Sequence, residues 1–288
     1  MRLHERIDPQ KDKRVVFSLG GSILYGERTF KRRLQAAIAD IFRFEIIALN
    51  FDRKTVHGVI GMLRDLTERD FEAYVITGGG ILARLAMKDA RDYSSENGGK
   101  PISQRQLDYI GKDASQFNAS RLIGKLKSAD VPVIYNSTKD WGKKRELQGG
   151  KVIVRGGTEP GHSTDMVAVD IAIAEKVPFV VNIGNTPGLY PRRDTKLGYD
   201  PKDAILEVFT ISDYLNMYPG ERMAGDNFIF EREAAQKALV NDIAIILVGS
   251  NVENIDAMIS GHDFKGTMLI PDSWAENFSV LSGVSGTV

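Results

Sequence analysis

Short apolar runs, each closed by a glycine-rich or polar turn and followed by residues at helical spacing, recur along most of this chain. Val15-Val16-Phe17-Ser18-Leu19 predicts a first buried strand. Residues 29–43 carry Phe30, Leu34, Ala37, Ile38 and Ile41 at helical intervals, and 45–51 reads as a strand. Val56, Ile60, Leu63 and Leu66 mark an amphipathic helix; residues 73–77 form a buried strand that runs into Gly78-Gly79-Gly80. A helix is predicted over 81–92, a polar loop over 93–101, and a long helix over 104–127. In that long helix Leu107, Ile110, Ala114, Phe117, Leu122 and Leu126 are expected to face inward. Strands follow at 131–135 and 152–154, with the lysine-rich 139–151 between them read as a surface excursion. The pattern continues with a helix over 165–176, a strand over 179–183 and an irregular, turn-rich stretch over 184–218. A helix over 231–240, a strand over 244–248, a helix over 252–260 and a strand over 266–270 complete it. Residues 272–288 are small and polar and carry no packing signal. Strands alternating with helices imply an α/β fold with a largely parallel sheet covered on both faces.

Composition narrows the partners. A chain of 288 residues suffices for one large α/β domain or two closely packed lobes. Lys plus Arg and Asp plus Glu each total 38, so the formal charge is zero. That argues against a general nucleic-acid binder and leaves room for a local basic pocket around a phosphorylated small molecule. The absence of cysteine excludes disulfides, thiolate metal sites and cysteine nucleophiles. His4, His57, His162 and His262 are scattered, with no metal-ligand spacing. Residues 1–14 are highly charged, unlike a secretory signal, and no apolar run reaches membrane-spanning length. A soluble cytoplasmic protein is the expectation.

The chemistry concentrates in three turns placed after strand-like runs: Gly20-Gly21-Ser22, Gly78-Gly79-Gly80, and Gly156-Gly157 leading through Thr158-Glu159-Pro160-Gly161-His162 to Ser163-Thr164-Asp165. A strand that ends in glycine and opens a helix aims backbone N–H groups at an anion. Three such turns suggest a site that holds several phosphates together. Arg84 follows the second turn on the predicted helix, as an anion partner or as a solvated helix residue. Asp108 opens the long helix, where a carboxylate suits a sugar diol and equally suits the helix dipole. Thr164 and Asp165 fit a capped helix start as well as a ligand contact.

These motifs, in this order over residues 14–271, resemble the amino acid kinase superfamily and, within it, the archaeal type of uridylate (UMP) kinase. The matching stretches run from Val15 to Leu24, Thr77 to Arg84, Leu107 to Gly111 with Asn118-Ala119, and Gly156 to Asp165. Weaker matches are Asn185 to Tyr190 and Phe230 to Ala235. The resemblance implies a three-layer α/β sandwich and transfer of the γ-phosphoryl of ATP to UMP with Mg²⁺. It also implies a cytoplasmic homohexamer in pyrimidine biosynthesis, with nucleotide ligands and neither nucleic acid nor membrane as partner. Its implied organisation is an N-terminal extension over 1–13, an acceptor lobe over 14–176, an ATP lobe over 177–271 and a tail over 272–288. By the same resemblance, Gly78, Gly79, Gly80, Arg84, Asp108, Ser163 and Thr164 hold the acceptor. Gly20, Gly21, Ser22, Gly156, Gly157, Asn185, Gly188 and Tyr190 hold ATP. Asp165, Arg84 and Ser18 stand at the catalytic positions, with Asp165 as the metal ligand.

Four departures bear on that expectation. Ser18 stands where many superfamily members have a lysine, so the neutralising cation is sought among Arg155, Lys112, Arg192, Arg193 and Lys196. Thr186-Pro187-Gly188 replaces Val-Asp-Gly, and Ser115-Gln116 replaces Thr-Arg. Residues 51–59 and 93–101 look enlarged. A different small acceptor, or a non-catalytic nucleotide-binding or storage relative, is the alternative these departures leave open.

Overall fold

A computed structural model describes residues 1–3, 6–25, 51–96, 100–135, 150–191, 202–217 and 229–275. Among them an eight-stranded sheet runs in the order β3-β4-β2-β1-β5-β7-β8-β6. The strands are β1 Arg14–Leu19, β2 Glu72–Thr77, β3 Val133–Tyr135, β4 Lys151–Arg155, β5 Phe179–Gly184, β6 Val208–Thr210, β7 Ala244–Gly249 and β8 Thr267–Ile270. Every neighbouring pair is parallel except β7 with β8. Consecutive residues of β1, β2, β4, β5 and β7 are buried, so both sheet faces are covered, as expected of a parallel sheet.

The covering helices are α1 Pro9–Asp12, α2 Gly21–Tyr25, α3 Arg53–Glu68, α4 Gly80–Glu96, α5 Gln104–Lys127, α6 Thr164–Glu175, α7 Ile211–Met217, α8 Arg232–Val240 and α9 Val252–Ile259. Their starts are written locally. Ser103 and Gln106 form a reciprocal capping box on α5, Ser163 caps α6 and Asp52 caps α3. One hydrophobic cluster joins residues from β1 through β8.

Parallel registry fixes where the turns fall. Leu19 pairs with Thr77 on one side and Ile183 on the other, and Ile76 pairs with Arg155. The chain therefore leaves β1, β2, β4 and β5 at the same edge of the sheet, the edge where ligands bind in open α/β folds. Gly21 and Gly80 meet there without side chains. A Cβ on Gly21 would lie 2.2 Å from the Gly80 amide nitrogen and 2.6 Å from the Gly78 carbonyl oxygen. Gly80 itself has φ of +58°, in the left-handed region.

Four expectations need correction. Phe117 is 49% exposed, because the inward stripe of α5 takes Ser115, Asn118 and Ala119 instead. α4 continues to Glu96, so the predicted loop over 93–101 begins as helix. The stretch over 184–218 contains β6 and α7, which buries Ile211, Tyr214 and Leu215. Trp274, at the start of the supposed unpacked tail, is 3% exposed and lies beneath the Arg6 guanidinium. The predicted helix over 29–43, the strand over 45–51 except Phe51, the excursion over 139–149, and the tail beyond 275 lie outside the described residues.

The crowded turn sets a stability prediction. Gly21→Ala is expected to cost about 1–3 kcal/mol, because only backbone can yield. Gly61→Ala, in the interior of α3 with nothing within 4 Å of the added methyl, is expected to gain about 0.5–1 kcal/mol. Urea denaturation midpoints at unchanged slope check both.

Candidate active site

The turns after β2 and β4, the first half of α5 and the start of α8 enclose an open cleft of about 220 Å³. Gly79, Gly80 and Arg84 come from the β2–α4 turn and α4. Asp108, Lys112 and Ser115 come from one face of α5, and Gly157 and residues 161–165 from the β4–α6 connection. Glu231 closes one side at the N-terminus of α8.

Asp165 is the most firmly held of these. Its Oδ1 accepts from the Ser18 hydroxyl at 2.6 Å and from Asn182 Nδ2 at 3.0 Å, and its Oδ2 accepts from the Glu231 backbone N–H at 3.1 Å. Donors from β1, β5 and the α8 start thus aim one carboxylate, which also sits in the first turn of α6 where the helix dipole favours it. Ser18 supplies no charge here; it orients Asp165. Ser163 caps α6 by accepting from the Met166 N–H at 3.0 Å, and its hydroxyl donates to Glu231 Oε2. Glu231 is 4% exposed, so a second carboxylate is fixed on the same wall.

The cations differ in placement. Arg84 lines the cleft, and burial lowers its guanidinium below the ordinary arginine value. Lys112 also lines it; Nζ lies 3.2 Å from Asp113 Oδ1 and over the Tyr109 ring. Arg155 is buried at the end of β4 and does not line the cleft; burial lowers its value too, against an opposing effect of Tyr135. Arg192, Arg193 and Lys196 lie outside the described residues.

Asp108, one helical turn before Lys112, faces the glycine bend at 161: a Cβ on Gly161 would sit 3.9 Å from its Oδ2. The Ser115-Gln116 departure has a structural consequence. Ser115 Oγ accepts from the Gly157 N–H at 2.7 Å, and Gln116 Nε2 donates to the Gly157 carbonyl at 2.9 Å. Gly156 packs so tightly on Gln116 that a Cβ would meet its backbone nitrogen at 2.5 Å.

The predicted ATP residues divide. Gly20 donates its N–H to the Ile183 carbonyl, and Gly21 lies against Gly80; neither they nor Ser22 lines the cleft. Tyr190 borders a separate cavity of about 510 Å³, with Ile205, Glu207, Phe264 and Lys265. Gly188 packs nearby, where a Cβ would meet Ile205 Cγ2 at 2.5 Å, and Asn185 follows β5.

Sequence reading assigned no role to Glu231 or Asn182. Asn182 had a signal: a polar residue inside the apolar run Phe179-Val180-Val181-Asn182-Ile183 must be bonded when buried. Glu231 stands directly before an alanine-rich helix, where a polar N-cap is expected.

No family model matches the chain. The uridylate kinase of Methanothermobacter thermautotrophicus is 27% identical over 261 residues, covering 90% of this chain and 100% of that protein. That of Archaeoglobus fulgidus is 28% identical over 264 residues, covering 89% and 99%. The crystal structure of uridylate kinase from Archaeoglobus fulgidus superposes with a TM-score of 0.64 at 24% identity, covering 88% of this chain and 99% of that one. The crystal structure of UMP kinase from Bacillus anthracis gives 0.64 at 15% identity, covering 90% and 96%. Along most of its length this chain is similar in sequence to archaeal uridylate kinases, and its fold is that of the solved UMP kinases.

Proposed function

We propose that this protein transfers the γ-phosphoryl group of ATP to UMP, giving UDP and ADP. The observation that carries this reading is the meeting of Arg84, Asp108 and Asp165 with two glycine turns around one cleft, in a chain that aligns over 89–90% of its length with proteins named uridylate kinase. In this reading the acceptor phosphate lies against the Gly78–Gly80 turn and Arg84, and Asp108 accepts hydrogen bonds from the ribose hydroxyls. Ser163 and Thr164 border the acceptor. The donor phosphates approach past Gly157 from the side of the Gly20-Gly21-Ser22 and Gly156 bends, which border the cleft without lining it, with the adenosine toward Asn185, Gly188 and Tyr190. Residues 14–176 then hold the acceptor and lend their turns to the donor phosphates, and 177–271 hold the adenosine.

Little acid–base chemistry is required. An acceptor phosphate oxygen, already anionic, attacks the γ-phosphorus, and the bond from that phosphorus to the oxygen bridging to the β-phosphate breaks in line. ADP keeps the bridging oxygen and its electron pair. The protein's share is alignment and charge neutralisation. Arg84 supplies a desolvated cation, and Lys112 is the second cation on the wall.

The charged residues lining the cleft are Asp108, Asp165 and Glu231 against Arg84 and Lys112. A wall with more carboxylates than cations does not by itself suit a triphosphate and a phosphate monoester together. It does suit Mg²⁺, which is held by one or two carboxylates together with substrate phosphates. Among the described residues no cluster of three or more His, Cys, Asp or Glu suited to a metal occurs. Asp165, with Glu231 beside it, would hold the ion, which when bound supplies neutralisation of the phosphate oxygens. A cytoplasmic homohexamer goes with this reading by resemblance, and light scattering of the purified protein checks the assembly.

Coupled measurement of ADP release, with Mg²⁺ and a panel of nucleoside monophosphates, tests the proposal. UMP is expected to be the preferred acceptor; ADP release with none of them would sink it. Asp165→Asn is expected to lower kcat by about 100-fold or more. Asp108→Ala is expected to raise the KM for UMP about tenfold with little change in kcat, the signature of a lost binding contact. Lys112→Met is expected to lower kcat/KM about tenfold and Lys112→Arg to restore most of it, if charge at this position is what the transfer uses.

A further inference from the structure

Asn118 lies fully buried on α5, away from the cleft lining, and its amide is bonded on both sides. Nδ2 donates to the carbonyl oxygens of Gly78 at 2.8 Å and Gly79 at 3.2 Å. Oδ1 accepts from the Tyr25 hydroxyl at 2.8 Å. Tyr25 in turn accepts from Arg121 Nη1 at 3.2 Å. The Arg121 guanidinium sits 3.9 Å above the Phe51 ring, and Phe51 meets the Tyr25 ring edge-on at 5.4 Å. A chain of contacts thus runs from an aromatic–arginine stack to the backbone of the second glycine turn.

The consequence follows from peptide geometry. In a planar trans peptide the carbonyl and the following N–H point in opposite directions. Holding the Gly78 and Gly79 carbonyls on Asn118 therefore directs the Gly79 and Gly80 N–H groups to the other side of the turn. The Gly79 carbonyl also accepts the Ala83 N–H at 3.3 Å, a long bond, and glycine itself restrains neither plane, so Asn118 is the side chain that holds both. The two carbonyls already demand Nδ2 on that side, since the amide oxygen cannot donate to them; the Tyr25 hydroxyl gives Oδ1 its partner and reinforces that orientation.

We infer that Asn118, locked by Tyr25, is the positioning residue that turns the Gly79 and Gly80 N–H groups into the cleft as a preformed phosphate cradle. This inference rests on the reading of that turn as the acceptor-phosphate site. Neither residue touches the ligand. Their effect is selective: they strengthen binding of a phosphate and leave a ribose or base contact untouched. A desolvated, preoriented N–H pair binds an anion without first reorganising, and misdirected N–H groups forfeit that advantage.

The test uses the full chain with ¹⁵N-labelled glycine, titrated with UMP, uridine and inorganic phosphate, for wild type, Tyr25→Phe and Asn118→Leu. Wild type is expected to show shifts of the Gly79 and Gly80 amides with UMP and with phosphate. Tyr25→Phe, which keeps the ring stack, is expected to weaken UMP about threefold, and Asn118→Leu about thirtyfold, as for one and several lost hydrogen bonds. Uridine affinity is expected to stay within about twofold in both variants, since no phosphate contact is involved. A merely structural role would instead lower UMP and uridine affinity together, and that result overturns the inference. So does unchanged UMP affinity in Tyr25→Phe, which settles the matter if Asn118→Leu fails to fold. A wild type whose two amides answer phosphate, yet which phosphorylates no nucleoside monophosphate, removes the kinase reading and leaves this inference standing. A wild type whose amides answer neither UMP nor phosphate removes the inference, whatever its turnover.

Discussion

The parallel pairing of β1 with β2 on one side and β5 on the other is the constraint from which the site follows. Parallel strands end at a common edge, so the turns after β1, β2, β4 and β5 have to meet there. Their meeting is close enough that backbone lies on backbone. Gly21 against Gly80, and Gly156 against Gln116, leave no space for a Cβ. The glycines are therefore needed by the packing before any ligand arrives, and the same crowding brings unpaired-strand ends, helix starts and their N–H groups to one cleft.

The departures from the resembled family acquire physical content at this edge. A lysine at Ser18 would have supplied charge; the serine instead donates a hydrogen bond to Asp165 and, with Asn182, fixes its direction. Positive charge on the cleft wall comes from Arg84 and Lys112, carried by α4 and α5. Ser115 and Gln116 grip both the N–H and the carbonyl of Gly157 and so hold the third turn rigid.

The fold was legible where periodicity was strong. Strands β1, β2, β5 and β7 read as apolar runs, and α3 and α5 as long amphipathic helices, because a sheet covered on both faces demands uninterrupted apolar strands. β6 and α7 were illegible for the converse reason. β6 is three residues long and only partly buried, and α7 spans two turns, too little for a period to emerge. Phe117 misled because hydrophobicity assigns an aromatic to the core, whereas α5 spends its inward positions on Ser115 and Asn118, which bind backbone. The glycine turns, Arg84, Asp108 and Asp165 were legible as motifs, but their partners Asn182 and Glu231 come from distant segments that only the folded chain joins.

Those partners, with Ser18 and Asn118, share their burial with scaffold residues but differ in what they bind. Ser18, Asn118, Asn182 and Glu231 are polar side chains buried below a tenth exposure, the strand residues among them set in apolar runs. Burying such groups is costly unless each is bonded. Here the bonds do not serve a strand ladder or a generic cap. Ser18 and Asn182 converge on the carboxylate of Asp165, Glu231 reaches it through its backbone N–H and takes the Ser163 hydroxyl, and Asn118 binds the carbonyls of the glycine turn. An apolar core of the same shape would be easier to stabilise. Polar residues placed to fix a carboxylate and a peptide plane at one sheet edge make sense as preorganisation, in which the reorganisation that a flexible site would undergo at each turnover is settled once, during folding.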